Sequence, residues 1–287
     1  EFLHATKITR SGFTTLLAAV EFVLPNLRRE LRWSRTVLSS WRVLAPPKHT
    51  APLPWIGGLL LASSFILVGR HSVAFGLLLA IRTGLRPGEL LGLQAKDIQL
   101  TPRGTAVLAL GAKRGTKVGR PQFVVVSNAF LVRQLRARKQ ALQPADYLVD
   151  IRYDAYRRLI AKAVKDRGWP YRFTPHSTRA GYVSESVVAG VDYHTIQKTG
   201  RWSSASSFQV YLDVVTSSAV GIDLLQYSEE AEYVAEHLDE LLHVTTAKDV
   251  VSAGNAAAQE EADSSDADSD LSGRDGQAAE FDPRAAA

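Results

Sequence analysis

TPHSTRAGYVSESVVAGVDYHTIQKTGRWSSASSFQVYLD, residues 174–213, sets His176, Arg179, Arg201, Trp202 and Tyr211 among small and apolar residues. The apolar spacing predicts at least two helices, split at AGVDY (189–193). His176 and Arg179, three residues apart, fall on one side of a helical turn. Trp202 stands 26 residues after His176, and Tyr211 stands nine after Trp202. Taken singly, each feature reads as ordinary structure: a helix cap, a core indole, a half-buried phenol ring. Their meaning depends on what the rest of the chain sets beside them.

Two upstream segments matter. In TGLRPGELLGL (83–93), Pro87 suits the first turn of a helix running to about Gln94, and Arg86 and Glu89 share its face. The β-like runs DIQL (97–100), TAVLAL (105–110) and QFVVVS (122–127) predict a small hairpin sheet. Its polar turn, GAKRGTKVGRP (111–121), carries Lys113, Lys117 and Arg120. Further helices are predicted over 128–142, 153–168 and 228–244, the last with Ser228 as its cap and acids in its first turn.

Composition narrows the chemistry. With no cysteine among 287 residues, a disulfide scaffold, a thiolate zinc site and a cysteine nucleophile are all excluded. The absence of methionine leads us to expect a cut or processed first residue, with part of the N-terminal region missing. The apolar run from Trp55 to Gly69 is 15 residues long and ends at Arg70. It is shorter than the roughly 20 residues a membrane-spanning helix needs, so it and the run at 72–81 predict a pair of buried core helices. Ten of the 29 acids but only three of the 34 bases lie from Thr245 on, which leaves residues 1–244 with 31 bases against 19 acids, +12. A body this basic suits a polyanion, because neutralising phosphates releases counterions.

Organisation follows from local chemistry. Two helices are predicted over 13–27 and 27–45, with Arg28, Arg32 and Arg35 on the basic face of the second as candidate DNA contacts. Pro46, Pro47, Pro52 and Pro54 mark a stiff linker over 46–54. The tail from 245 to 287, rich in Ala, Asp, Ser, Gly and Glu, predicts disorder. Competing motifs are incomplete: GAKRGTK lacks the spacing of a phosphate-binding loop, Glu240 and His243 have no second carboxylate–histidine pair, and no Gly-x-Ser-x-Gly elbow occurs.

Cutting a phosphodiester without a metal needs a nucleophile, fixed cations at the non-bridging oxygens and an acid for the leaving oxygen. Arginine suits the cation role, since its planar fork donates to two oxygens and keeps its charge. Jointly, Arg86 with Glu89, Lys113, His176 with Arg179, Trp202 and Tyr211 resemble the catalytic domain of a tyrosine recombinase, the phage integrase family. That family's pattern is an arginine in a Thr-Gly-Leu-Arg-x-x-Glu-Leu box, a hairpin lysine, His-x-x-Arg, a histidine or tryptophan, and a nucleophilic tyrosine nine residues on. The likeness spans roughly Trp55 to Val244. It departs from the commonest wording at TGRWSS, where Arg201 separates Gly200 from Trp202, and Lys117 competes with Lys113 for the hairpin role. The Gly-Arg-Trp wording also resembles recombinases of eukaryotic mobile elements.

The resemblance implies a mainly α fold with a small antiparallel β-sheet (α+β). A partial helical DNA-binding domain (1–45) and the linker (46–54) would precede the catalytic domain (55–244) and the tail. It implies cleavage and rejoining of double-stranded DNA through a 3′-phosphotyrosine on Tyr211, with no metal or other cofactor. Arg86 and Arg179 would hold the phosphate, His176 would bond it, Lys113 would protonate the leaving oxygen and Glu89 would orient Arg86 or His176. Lys117, Arg120 and Arg201 are further candidate DNA contacts. A type IB topoisomerase-like activity and an inactive DNA-binding remnant are the alternatives. Recombination in this family implies a homotetramer on DNA. We expect the 228–244 helix, with its stripe of Val234, Leu238, Leu241 and Leu242, either to dock into a neighbouring protomer or to pack on its own domain.

Overall fold

The computed structural model describes residues 8–44, 50–110, 122–205, 208, 211 and 214–242. Lys113, Lys117 and Arg120, the first half of the proline-rich segment and the acidic tail lie outside the described residues. The chain divides into two compact units, Glu1–His49 and Thr50–Ala287.

The first unit contains α1 (Arg10–Val23) and α2 (Arg32–Leu44). Thr9 starts α1 by accepting the Gly12 N–H at 3.1 Å. The two helices bury Leu17 and Leu38, and the Phe13 and Trp41 rings lie 6.4 Å apart. The boundaries differ from those expected. Pro25 excludes the helical region for Leu24, which sits at φ −125°, ψ 73°. So α1 stops at Val23 and a 3₁₀ turn, Pro25–Arg28, precedes α2.

The second unit is built on α3 (Trp55–Leu67) and α4 (His71–Thr83), both apolar on nearly every side. Leu60, Leu61, Phe65, Phe75, Leu77 and Leu78 are fully buried, as expected of helices enclosed by protein. Among the described residues no helix is long and apolar enough to cross a membrane. The second half of the proline-rich segment is packed on this unit: Leu53 is buried and its N–H donates to the Ser177 carbonyl at 3.0 Å.

After α4 come α5 (Pro87–Leu91) and an antiparallel sheet of β1 (Ile98–Leu100), β2 (Ala106–Ala109) and β3 (Phe123–Val126) in that order. Ile98 pairs with Leu108, and Leu108 with Val124, so one face presents Ile98, Ala106, Leu108, Val124 and Val126 to the core. The helix begun by Pro87 ends at Leu91 rather than near Gln94, because Gly92 follows it and Gln94 opens a separate 3₁₀ turn. Four helices follow: α6 (Ala129–Ala141), α7 (Tyr153–Asp166), α8 (Ser177–Val188) and α9 (Tyr193–Thr199). Asn128 and Asp192 cap α6 and α9 by accepting the Leu131 and Thr195 N–H groups.

Beyond Tyr211 the chain forms α10 (Val214–Leu224). Burial of Val220 and Leu224 against the body overrides the weak helix propensity of its serine, threonine and glycine. The expected final helix is two, α11 (Ser228–Glu236) and α12 (Leu238–Leu241). Ser228 is not a cap: its φ −58°, ψ −41° places it inside the helix. Of the expected stripe, Val234, Leu238 and Leu242 are buried in the unit's own core, joined by Ala231, while Leu241 is partly buried. Burying each large apolar side chain stabilises this seat by roughly 1.5–3 kcal/mol. Glu230 accepts from Ser63 at 2.8 Å and pairs with Arg167 at 2.6 Å, Asp239 pairs with Arg133, and His71 Nδ1 meets the Leu241 carbonyl at 2.9 Å. In this structure the C-terminal helices therefore occupy their own body, the second of the two expected arrangements.

Candidate active site

The site forms where four chain segments meet: the end of α4, the start of α5, the first turn of α8 and the turn after α9. Gly84 terminates α4 with φ +60°, a conformation that costs an L side chain about 1–2 kcal/mol. A Cβ there would also strike the Tyr182 ring. Two residues on, Arg86 precedes α5. Its N–H donates to Glu89 Oε2 at 2.8 Å, and its Nη1 donates to Glu89 Oε1 at 2.6 Å. Its Nη2 donates to the Arg201 carbonyl at 3.0 Å.

Arg179 lies in the first turn of α8 and is 1% exposed. Its Nη1 donates to the Gly84 carbonyl and its Nη2 to the Gly200 carbonyl at 2.5 Å. Its guanidinium stacks on Trp202, with Cζ 3.7 Å from the ring centroid, and lies 5.7 Å from the centroid of Tyr211. The Trp202 and Tyr211 rings are 5.4 Å apart, and Phe208 closes the aromatic cluster 5.2 Å from Trp202. Trp202 folds back over Gly200, where a Cβ would fall within the indole ring. His176 is exposed at the N-terminus of α8, and its carbonyl accepts the Arg179 and Ala180 N–H groups.

Glu89 is buried, and it is the carboxylate that organises this cluster. Besides Arg86 it pairs with Arg201, whose Nη2 donates to Oε2 at 2.6 Å. Burial alone would push the Glu89 carboxyl up, but the charge of Arg201, the Arg86 N–H and the Arg86 guanidinium together hold it below the usual carboxylate value. Arg179 is pulled down to about 9, first by burial and then by the neighbouring charges of Arg86 and Arg201. Arg201 is lowered for the same first reason, with Glu89 opposing the shift. Two guanidinium groups thus hold one carboxylate and the charge of Arg179 adds to theirs, an excess of positive charge suited to a phosphate.

The structure therefore gathers Arg86, Glu89, Arg179, Trp202 and Tyr211, and it places His176 one turn from Arg179. Glu89 pairs with Arg86 and with Arg201. Arg201, expected at a DNA surface, has a side chain only 8% exposed and committed to Glu89. In the first unit, Arg28, Arg32 and Arg35 are exposed and, with Arg29, Thr36 and Ser39, line a cavity of about 590 Å³. Two of these arginines already face an acid: Arg35 Nη2 is 2.5 Å and Arg28 Nε 3.8 Å from Glu21. Among the described residues no cluster of His, Asp and Glu could hold a metal ion.

Comparison with known proteins bears on the same segments. Residues 69–217 match the model of the phage integrase family. The chain is 30% identical over 139 residues to the tyrosine recombinase XerA of Saccharolobus solfataricus. That match covers 48% of this chain and 44% of the relative, so the chain spans less than half the length of the curated relative it matches. Among solved structures, a crystal structure of XerA recombinase is similar at 18% identity and a TM-score of 0.45, over 78% of this chain and 84% of that one. The Tn1549 transposon integrase, solved in complex with circular intermediate DNA, is similar at 18% identity and a TM-score of 0.46, over 71% and 80% of the two chains. These matches lend no support to a eukaryotic origin. The family match covers just over half of the 287 residues, including every described residue of the arginine–tyrosine cluster, and the chain belongs to the phage integrase family.

Proposed function

We propose that this protein cuts and rejoins double-stranded DNA at specific sites, with Tyr211 as nucleophile. The observation that supports the reading is the packing of the Tyr211 ring against Trp202 and 5.7 Å from the buried guanidinium of Arg179, an arrangement suited to a nucleophile beside a phosphate clamp. In the proposed reaction Tyr211 Oη attacks the phosphorus, the bond to the 5′ oxygen breaks and a 3′-phosphotyrosine forms. His176 takes the tyrosine proton and Lys113 delivers one to the leaving 5′ oxygen. Arg86 and Arg179 donate to the non-bridging oxygens and stabilise the charge that builds on them. Attack by the 5′ hydroxyl of another strand reverses the step and conserves the phosphodiester without an energy source.

Exchange between two duplexes requires four such cuts, and we propose that four protomers assemble around paired sites to make them. The exposed Arg28, Arg32 and Arg35 would contribute phosphate contacts from the first unit. The reading is tested with nicked duplexes whose cut fragment diffuses away, drawn from a pool of randomised sequence. The native protein should leave a DNA adduct that survives denaturation, and Tyr211→Phe should leave none while still binding duplex. Lys113→Ala should regain cleavage when the leaving 5′ oxygen is replaced by sulfur, whose thiolate needs no proton. Rescue of Lys117→Ala instead would exchange the two assignments.

A further inference from the structure

Arg201 is the one non-glycine residue with positive φ among the described residues, at +60°. Left-handed backbone is uncommon outside glycine and asparagine and persists only where the surroundings hold it. Here it has a visible result. Gly200 and Arg201 present consecutive carbonyls to two different arginines, the first to Arg179 Nη2 at 2.5 Å and the second to Arg86 Nη2 at 3.0 Å. The Arg201 guanidinium then reaches Glu89 Oε2 at 2.6 Å, while Arg86 holds Oε1 at 2.6 Å. The side chain is largely buried and paired with Glu89, while its Nε has no hydrogen-bond partner among the described residues.

We propose that Arg201 is a positioning residue for both arginines of the clamp, acting through its backbone on Arg179 and Arg86 and through its side chain on Glu89. Its charge keeps the buried carboxylate ionised, and the ionised carboxylate fixes Arg86 from below. The left-handed turn fixes both guanidinium groups from the side. The inference deepens the strand-cutting reading and, where it concerns rate, rests on it.

Three variants separate the two roles. Arg201→Gly keeps the left-handed turn and removes the guanidinium; Arg201→Val also disfavours the turn, since a β-branched residue resists positive φ; Arg201→Lys keeps a cation. In the absence of DNA, carbon-13 carboxyl resonances of Glu89 in the full chain report its titration, set by the facing charges of Arg86, Arg201 and Arg179. The midpoint should rise in Arg201→Gly and fall back toward the native value in Arg201→Lys. With the nicked duplex pool, adduct formation should slow about 10-fold in Arg201→Gly and about 10²-fold in Arg201→Val, with duplex affinity held within about two-fold. The acidic limb of the rate against pH should move upward in Arg201→Gly in step with the Glu89 titration.

An unmoved Glu89 titration, or a loss of affinity that accounts for the whole loss of rate, would overturn the proposal and return Arg201 to a direct DNA contact. If the native protein forms no adduct on any duplex, the strand-cutting reading fails. The Glu89 titration then still decides the positioning role, for it involves no DNA.

Discussion

Among the described residues two arginines, Arg179 and Arg138, are buried against aromatic rings, and they differ in how their donors are satisfied. Arg179 sits over Trp202 with carbonyl partners for both Nη atoms and two further arginines nearby. Arg138, on α6, lies over Phe75 with Cζ 4.3 Å from the ring centroid, and its Nε and Nη2 have no hydrogen-bond partner among the described residues. Burial pulls Arg138 down to about 10 without any opposing carboxylate. Desolvating a cation is costly unless its donors are satisfied. The cost at Arg179 is met by a helix end and a turn whose carbonyls, at Gly84 and Gly200, accept from both of its Nη atoms. At Arg138 only an aromatic face offsets the cost, and no chemistry is within view.

The contrast can be broken by experiment, most severely at Arg179 itself. Arg179→Ala should lower adduct formation by at least about 10²-fold, the usual loss for one preorganised donor at developing charge. Gly200→Ala tests the shell around it: the added methyl must displace Trp202, and we expect cleavage to fall by roughly 10-fold and stability by about 1–3 kcal/mol in denaturant titration. Arg138→Leu should do the reverse of Arg179→Ala, leaving cleavage intact and raising stability by about 1 kcal/mol, a shift of about 2–4 °C in thermal melting for a domain of this size. A destabilised Arg138→Leu would mean that the two buried cations are equally well provided for.

The smallest expected effect separates two carboxylates. Glu185 on α8 is pushed above its ordinary value by burial, although the Trp55 N–H and Arg82 oppose the shift. Glu89 is held below its ordinary value. Because native Glu185 binds its proton more readily than the unfolded chain does, stability should rise as pH falls through its raised value toward the ordinary one. Native Glu89 binds its proton less readily, so its contribution is present above the ordinary carboxylate value and is lost as pH falls through the lowered one. Melting temperatures of Glu185→Gln and Glu89→Gln against pH should each lose one of these opposing slopes.

Much of the site was legible in sequence because its members sit at fixed intervals within short segments. The nine-residue step from Trp202 to Tyr211 and the three-residue step from His176 to Arg179 need no tertiary knowledge. The pairing of Arg201 with Glu89 was not legible, because the two lie 112 residues apart and an arginine in a polar turn looks solvated until the acid opposite is seen. The helix α10 was illegible for another reason. Its own residues favour helix weakly, and what fixes it is the burial of Val220 and Leu224, a fact of packing rather than of local pattern. The same holds for the final helices, whose apolar stripe announces a contact without naming the surface that receives it.

That surface has a consequence for assembly. The seat of α11 and α12 is filled by the chain's own C-terminal segment, anchored by Glu230 and Asp239, and a tethered segment competes at an effective concentration in the millimolar range. A neighbour offering an equivalent seat at ordinary protein concentration is outnumbered by several orders of magnitude, so free protein should sediment as a monomer. Exchange of these helices becomes competitive only where protomers are held side by side at a local concentration that matches the tether. On the proposed strand-cutting reading, two protomers on adjacent stretches of one duplex would meet that condition, and the nucleic acid, rather than protein abundance, would set oligomeric state.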